Sequence, residues 1–271
     1  MDITLIRVAT RLTVAVWLVV VAARAADQNQ PQLTVPSIWY AVPDVPMSLY
    51  YDNVVLAQTP ETFRVEVTCD IGRSEARRWT VTPADQDEGD HTMSILVKDA
   101  QGTMLTHAQA VLRVVARNAG AKCNLRLLIV GDSLTAATTY PNEIARLLSG
   151  SGNPKWTMLG TRQPSSAQPG VTHEGYGGWT WAAFLSRYNT TLGHKLDTSG
   201  KRQSSPFVYA APSGEPGLDI ARYIRENCAG QPPDVVTVLL GINDCFSVDP
   251  EVDAAVDARI DVVLGDAEKF L

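Results

Sequence analysis

"NLRLLIVGDSLTA", residues 124–136, holds a run of Leu, Ile and Val that stops at Gly131-Asp132-Ser133. Its core, 127–130, does not alternate apolar with polar residues, so it reads as a strand buried on both faces, as in a parallel sheet. The glycine ends the strand and presents Ser133 at its lip, and in open α/β sheets ligands bind beyond the carboxyl ends of the strands. Working outward, Pro141 opens a helix over "PNEIARLLSG" (141–150), and "KWTML" (155–159) reads as a second strand. "WTWAAFLSRY" (179–188) and "PGLDIARYIREN" (216–227) read as helical, and "DVVTVLLG" (234–241) as another buried strand. From 250 on, Val252, Val256, Ile260, Val263, Ala267 and Phe270 recur at spacings of three and four, the stripe of an amphipathic helix. Strands alternating with helices predict an α/β sheet with crossover helices.

Ahead of this half, from about Leu33 to Arg117, the period is different. Phe63, Val65, Val67 and Cys69 alternate with Arg64, Glu66 and Thr68, the mark of a half-buried strand. "HTMSILVKD" (91–99) and "AQAVLRVVAR" (108–117) flank Gly102, which suits a hairpin turn. Residues 33–117 therefore predict a small, all-β, sandwich-like accessory domain ahead of 124–271.

The first residues are of another kind. Arg7 and Arg11 precede the twelve apolar residues "LTVAVWLVVVAA" (12–23), and Ala23-Arg24-Ala25 supplies a small-x-small cleavage site. Twelve residues fall short of the ~20 that span a bilayer. The expectation is a cleaved signal peptide over 1–25, a secreted or periplasmic protein, and no stable membrane span. The formal charge of the 271 residues is −6, and removing 1–25 takes three arginines and one aspartate, leaving the chain more acidic still. With no basic run, nucleic acid is excluded as the expected partner. No C-x-x-C, H-E-x-x-H, G-x-G-x-x-G or G-K-[ST] pattern occurs, so neither a metal nor a cofactor is expected.

Three segments carry chemistry together. Gly131-Asp132-Ser133-Leu134 follows a buried strand, "HEGYGGWTW" (173–181) turns into a helix, and "LLGIND" (239–244) ends a later strand. In this order they resemble the blocks of the SGNH (GDSL) hydrolase family, over roughly residues 124–271. The resemblance implies a flavodoxin-like three-layer α/β sandwich around a mostly parallel sheet. It also implies that Ser133 is a nucleophile that holds an acyl group covalently. The Ser133 N–H, the Gly178 N–H and the Asn243 amide would form the oxyanion hole, since a tetrahedral intermediate needs fixed dipoles aimed at its oxygen. Gly177 and Gly175 are alternatives to Gly178. Trp179 and Trp181, in the first turn of a helix, are expected in the core.

A serine hydroxyl needs a base. The family's base is a histidine in a D-x-x-H motif near the C-terminus. No D-x-x-H occurs in these residues, and His194 is the last histidine. His91 and His107 fall in the β-domain, and His173 reads as loop structure. Ending inside an amphipathic helix, the chain is expected to be a C-terminally truncated form of a longer hydrolase.

Export would make the four cysteines disulfide partners. Cys228 precedes the strand at 234–241 and Cys245 follows it, about 25 Å apart along an extended strand, which argues against bonding that pair. Cys123 is placed to reach Cys228 or Cys69. The functional expectation is a serine esterase acting on a small-molecule or carbohydrate ester, leaning toward deacetylation of extracellular polysaccharide. A lysophospholipase-type hydrolase is the first alternative. The second is a non-catalytic carbohydrate- or protein-binding protein with a degenerate hydrolase domain.

Overall fold

The computed structural model describes residues 30–57, 59–198, 201–211 and 214–271; the expected signal peptide over 1–25 lies outside them. Two compact units divide at Ala119/Gly120.

In the first unit the strands are β1 Gln32–Leu33, β2 Ile38–Ala41, β3 Met47–Tyr50, β4 Val55–Leu56, β5 Arg64–Thr68, β6 Arg73–Ser74, β7 Arg78–Val81, β8 Gly89–Lys98 and β9 Met104–Val114. They make a four-stranded sheet in the order β2-β9-β8-β5, a three-stranded sheet β3-β7-β6 and the short pair β1-β4. All these pairings are antiparallel except β2 with β9. Alternation decides which side chains go inward. Met93, Ile95 and Val97 of β8, Leu112 and Val114 of β9, and Trp79 and Val81 of β7 form one core cluster. Phe63, Val65, Val67 and Cys69 pack partly buried against it. The β8–β9 hairpin turns at Gly102, whose φ of +84° favours glycine. Asp99 holds that turn by accepting hydrogen bonds from the Gln101 and Thr103 N–H groups.

The second unit contains strands β10 Asn124–Gly131, β11 Lys155–Leu159, β12 Glu174–Gly175, β13 Val208–Ala210, β14 Pro216–Leu218 and β15 Val235–Leu239. Its helices are α1 Ser133–Ala136, α2 Thr139–Leu148, α3 Trp181–Ser186, α4 Ile220–Asn227, α5 Ile242–Cys245 and α6 Asp253–Phe270. β10 is central and pairs in parallel with β11, β12 and β15. Leu127 and Ile129 face a cluster with Ala145, Met158 and Val171, while Leu128 and Val130 face an aromatic cluster with Trp179, Phe184, Phe207 and Tyr223. Trp179 and Trp181 are both buried, and Phe270 of α6 closes edge-on against Trp181 and Phe207. At the amino ends of the strands, Arg126 clamps Asp234 with Nη2–Oδ1 at 2.6 Å and holds that carboxyl down at about 2.

The architecture departs from the expected flavodoxin-like three-layer α/β sandwich. Among the described residues there are fifteen strands in five small sheets, parallel and antiparallel, against six α-helices, of which only α2, α4 and α6 reach eight residues. β11 pairs with the first half of β10, at Asn124–Leu128, and β12 with its last two residues, while β15 takes the other flank. The parallel sheet is thus at most three strands wide at any level, and β13–β14 stands apart as an antiparallel pair. Two expected helices are short because their sequences turn early. The 179–188 stretch is helical only to Ser186, and Pro216–Leu218 pairs with β13 before Asp219 caps α4. β15 is not the fully buried strand expected: Val235, Val236 and Leu239 are 45%, 43% and 43% exposed, because its outer edge pairs with nothing among the described residues.

Cys69, Cys123, Cys228 and Cys245 are all unbridged, so Cys228 and Cys245 are unpaired with each other as expected, whereas Cys123 is joined to neither Cys228 nor Cys69. Cys228 is buried at the end of α4, and that burial pushes its thiol pKa up.

Leu112 sits at full burial in the first unit's core. Leu112→Ala is expected to cost about 2–5 kcal/mol of that unit's stability, read as a lower urea midpoint for the β-rich transition.

Candidate functional site

The end of β10 is shaped by what it has to pass. A Cβ on Gly131 would lie 2.0 Å from Thr135 Oγ1, and one on Gly175 would lie 2.6 Å from Thr135 Cγ2. Thr135, wholly buried, is wedged between two glycine backbones that pair with each other, and its hydroxyl meets Tyr140 Oη at 2.6 Å. Only glycine at both positions lets β12 and α1 approach so closely. Asp132 then caps α1, its Oδ1 accepting from the Leu134 N–H at 2.9 Å. Ser133 follows as the first helical residue, exposed, with an N–H that has no intrahelical acceptor. Among the described residues its hydroxyl makes no hydrogen bond.

The second segment returns beside it. The Tyr176 N–H donates to Gly131 O at 3.0 Å, which carries the chain past Ser133. Gly177 is the glycine that faces the serine: a Cβ there would be 4.0 Å from Ser133 Cβ. Gly178 takes φ +74° with open space around it, and Thr180 caps α3 by accepting from the Ala183 N–H. Gly175 is occupied structurally, leaving Gly177 and Gly178 as the exposed pair.

The third segment locks the other two together. Gly241 turns at φ +115°, and Asn243 Nδ2 then donates to Trp179 O at 3.0 Å and to Asp132 Oδ2 at 3.3 Å. One side-chain amide thus ties the residue before Ser133 to the residue after Gly178. Next to it the buried Asp244 carboxylate accepts from the Trp181 N–H at 3.3 and 3.4 Å, and burial pushes its pKa up. Asn243 thus bonds the neighbours of Ser133 and of Gly178 in sequence, while Gly177 is the glycine that lies against Ser133. Both amide hydrogens of Asn243 are engaged in these two bonds.

No histidine is set against Ser133 among the described residues. His173 is wholly buried, its Nδ1 accepting from the Gly175 N–H at 3.0 Å and its Nε2 lying 3.2 Å from Thr138 Oγ1. Thr138 donates to Ala136 O, so it accepts from His173, and the ring proton sits on Nε2. Burial, and secondarily Arg162, lowers the His173 pKa to about 4. The ring is a neutral brace between β12 and the end of α1. His194 Nε2 is spent on Val208 O, with its ring edge-on to Tyr209.

The feature that sequence reading missed is Glu174. Wholly buried, it accepts from the Thr161 N–H (2.6 Å), Thr161 Oγ1 (3.0 Å), Tyr176 Oη (2.5 Å) and Tyr223 Oη (2.7 Å). Burial and this negative neighbour drive both tyrosine pKa values up. Glu174 lies inside "HEGYGGWTW", but nothing in the spelling of that segment marks a buried carboxylate. No three His, Cys, Asp or Glu residues among those described are grouped to hold a metal ion. No described helix is long and apolar enough to cross a membrane.

Neither a family model nor a curated protein matches the chain. Several solved structures are partly similar. A variant of an endo-fucoidan hydrolase from glycoside hydrolase family 107 is 16% identical over 32% of this chain and 14% of its own, with a TM-score of 0.25. The Bacteroides ovatus mixed-linkage glucan utilization locus protein SGBP-B, in complex with a mixed-linkage heptasaccharide, is 11% identical over 38% of this chain and 30% of its own, at 0.26. Fibronectin(III)-like modules of Clostridium thermocellum CbhA are 21% identical over 32% of this chain and 96% of their own, at 0.23. The chain thus spans less than a third of the first two, and none of the three is described as an SGNH hydrolase. Scores this low assign no function.

An imidazole with a folded pKa of about 4 and an ordinary value of 6.5 binds fewer protons folded than unfolded. Its contribution is complete above pH 6.5 and is lost as pH falls toward 4. Unfolding free energy is therefore expected to drop by up to about 3 kcal/mol across that window. His173→Gln should flatten this part of the profile in urea titrations run at stepped pH.

Proposed function

We propose that Ser133 is the nucleophile of a carboxylic ester hydrolase that works through a covalent acyl-serine, in keeping with the SGNH resemblance of its three segments. The observation that supports this reading is the Asn243 amide, which bonds Asp132, the residue before Ser133, and Trp179 O, the residue after Gly178. Attack by Ser133 Oγ on the ester carbonyl passes its proton to a base and puts negative charge on the carbonyl oxygen. The Ser133 and Gly178 N–H groups and Asn243 Nδ2 are the donors assigned to that charge. Collapse expels the alcohol with a proton, and water then releases the acid from Ser133 by the same route reversed. In the resembled family the base is the histidine of a D-x-x-H motif, which these 271 residues do not contain. A carbohydrate ester outside the cell is the substrate this reading favours.

A second reading has its own support. With no histidine on Ser133 and both Asn243 amide hydrogens engaged, the same surface suits a non-catalytic sugar-binding protein.

A fluorophosphonate probe separates the two. In protein isolated as its gene encodes it, mass spectrometry is expected to find the probe on Ser133 and none on Ser133→Ala. Asn243→Ala is expected to slow labelling by about 100-fold, the loss of one oxyanion donor. Protein that binds saccharide yet leaves Ser133 unlabelled would establish the second reading.

A further inference from the structure

A cleft of about 760 Å³ opens beside the candidate nucleophile, with Gly177, the residue facing Ser133, in its wall. That volume lies within the range of small-molecule sites. Among the described residues that line it, Arg162, Arg187, Lys201 and Arg202 are cationic and none is acidic. This runs against the whole chain, which carries a net −6.

None of the four takes part in an ion pair with a described carboxylate. Three of them lie over aromatic rings instead. Arg162 and Arg202 sit 5.7 and 5.8 Å from the Tyr176 centroid, and Arg187 is 5.3 Å from that of Trp179. Both rings are nearly fully buried, so each guanidinium rests on a rigid support. Arg202 Nη2 also donates to Thr161 Oγ1 at 2.9 Å, and that hydroxyl donates onward to Glu174. The buried Glu174 charge is spread over its four donors behind the wall. Asp197 lies near the rim, where its carboxylate accepts from Gln203 Nε2 and the Lys201 N–H.

We propose that this cleft seats an oxyanionic group, carboxylate or sulfate, on the saccharide that carries the ester. The inference rests on the esterase reading only for the word ester; the cleft itself is an anion subsite of the same site. A saccharide fits better than a lipid because hydrogen-bonding side chains, Thr161, Gln163 and Gln203, fill the wall between the cations. The aromatic faces that a lipid chain would need are covered by arginine. Guanidinium groups fixed on rings present planar donor edges suited to carboxylate and sulfate oxygens.

The test titrates the protein with methyl glucuronide, a sulfated glucose and uncharged methyl glucoside by calorimetry, alongside Ser133 labelling by a neutral fluorophosphonate. At least one charged sugar is expected to bind ~10-fold or more tightly than the glucoside, with a preference that shrinks as salt rises. Which of the two binds identifies carboxylate or sulfate. Arg187→Gln and Lys201→Gln, both at exposed positions, are each expected to reduce the preference. Equal binding of all three sugars, or a preference untouched in both variants, overturns the anion subsite whatever the labelling shows. A charged-sugar preference with no label on Ser133 upholds the subsite and sinks the esterase reading.

Discussion

A carboxylate with no solvent contact is tolerated in a protein interior only when its oxygens are fully engaged. Glu174 meets that condition through a backbone N–H, a threonine hydroxyl and two tyrosine hydroxyls. The consequence is positional. Thr161 is drawn to β12 from the end of β11, Tyr223 from α4, and Tyr176 is pinned two residues ahead of Gly178. The wall of the cleft, the platform under Arg162 and Arg202, and the path of the chain past Ser133 are all set by one buried charge. Removing any donor would leave part of that charge unpaired.

The placement of Ser133 follows from sterics rather than charge. Thr135 fills the space that side chains at Gly131 and Gly175 would need, so β10 and β12 can lie side by side with α1 tucked over them. Asp132 caps the helix and Asn243 ties that cap to the Trp179 carbonyl. His173, neutral and buried, braces the same junction from beneath. Four side chains are spent on holding a single exposed hydroxyl in place. That arrangement is stiff where it meets the sheet and open where a ligand would arrive.

Parts of this were legible in the residues and parts were not. The apolar run 127–130 read as a doubly buried strand, and its two faces do meet separate clusters. The strand at 155–159 and the long terminal helix also stood where their periods put them. The flavodoxin-like sandwich did not follow, because long stretches such as 160–173, 187–198 and 201–207 form turns and bridges rather than sheet-covering layers. Val235 and Val236 read as core for their composition, yet on an edge strand composition does not decide burial. Glu174 and the four cations were invisible as a group, since they come from separated segments with no shared spacing.

By itself the sequence determined local states: periods of two against runs and stripes of three and four, a glycine for the hairpin turn at 102, and the three segments that carry a serine, a glycine and an asparagine. These depend on neighbours along the chain, which a sequence displays directly. Tertiary structure alone decided which glycine faces Ser133, that Asn243 bridges the other two segments, that His173 is neutral, and that a negatively charged chain turns a basic cleft toward its candidate nucleophile. Those properties arise from burial and from contacts between residues far apart in sequence, where solvation and packing assign roles that residue type leaves open.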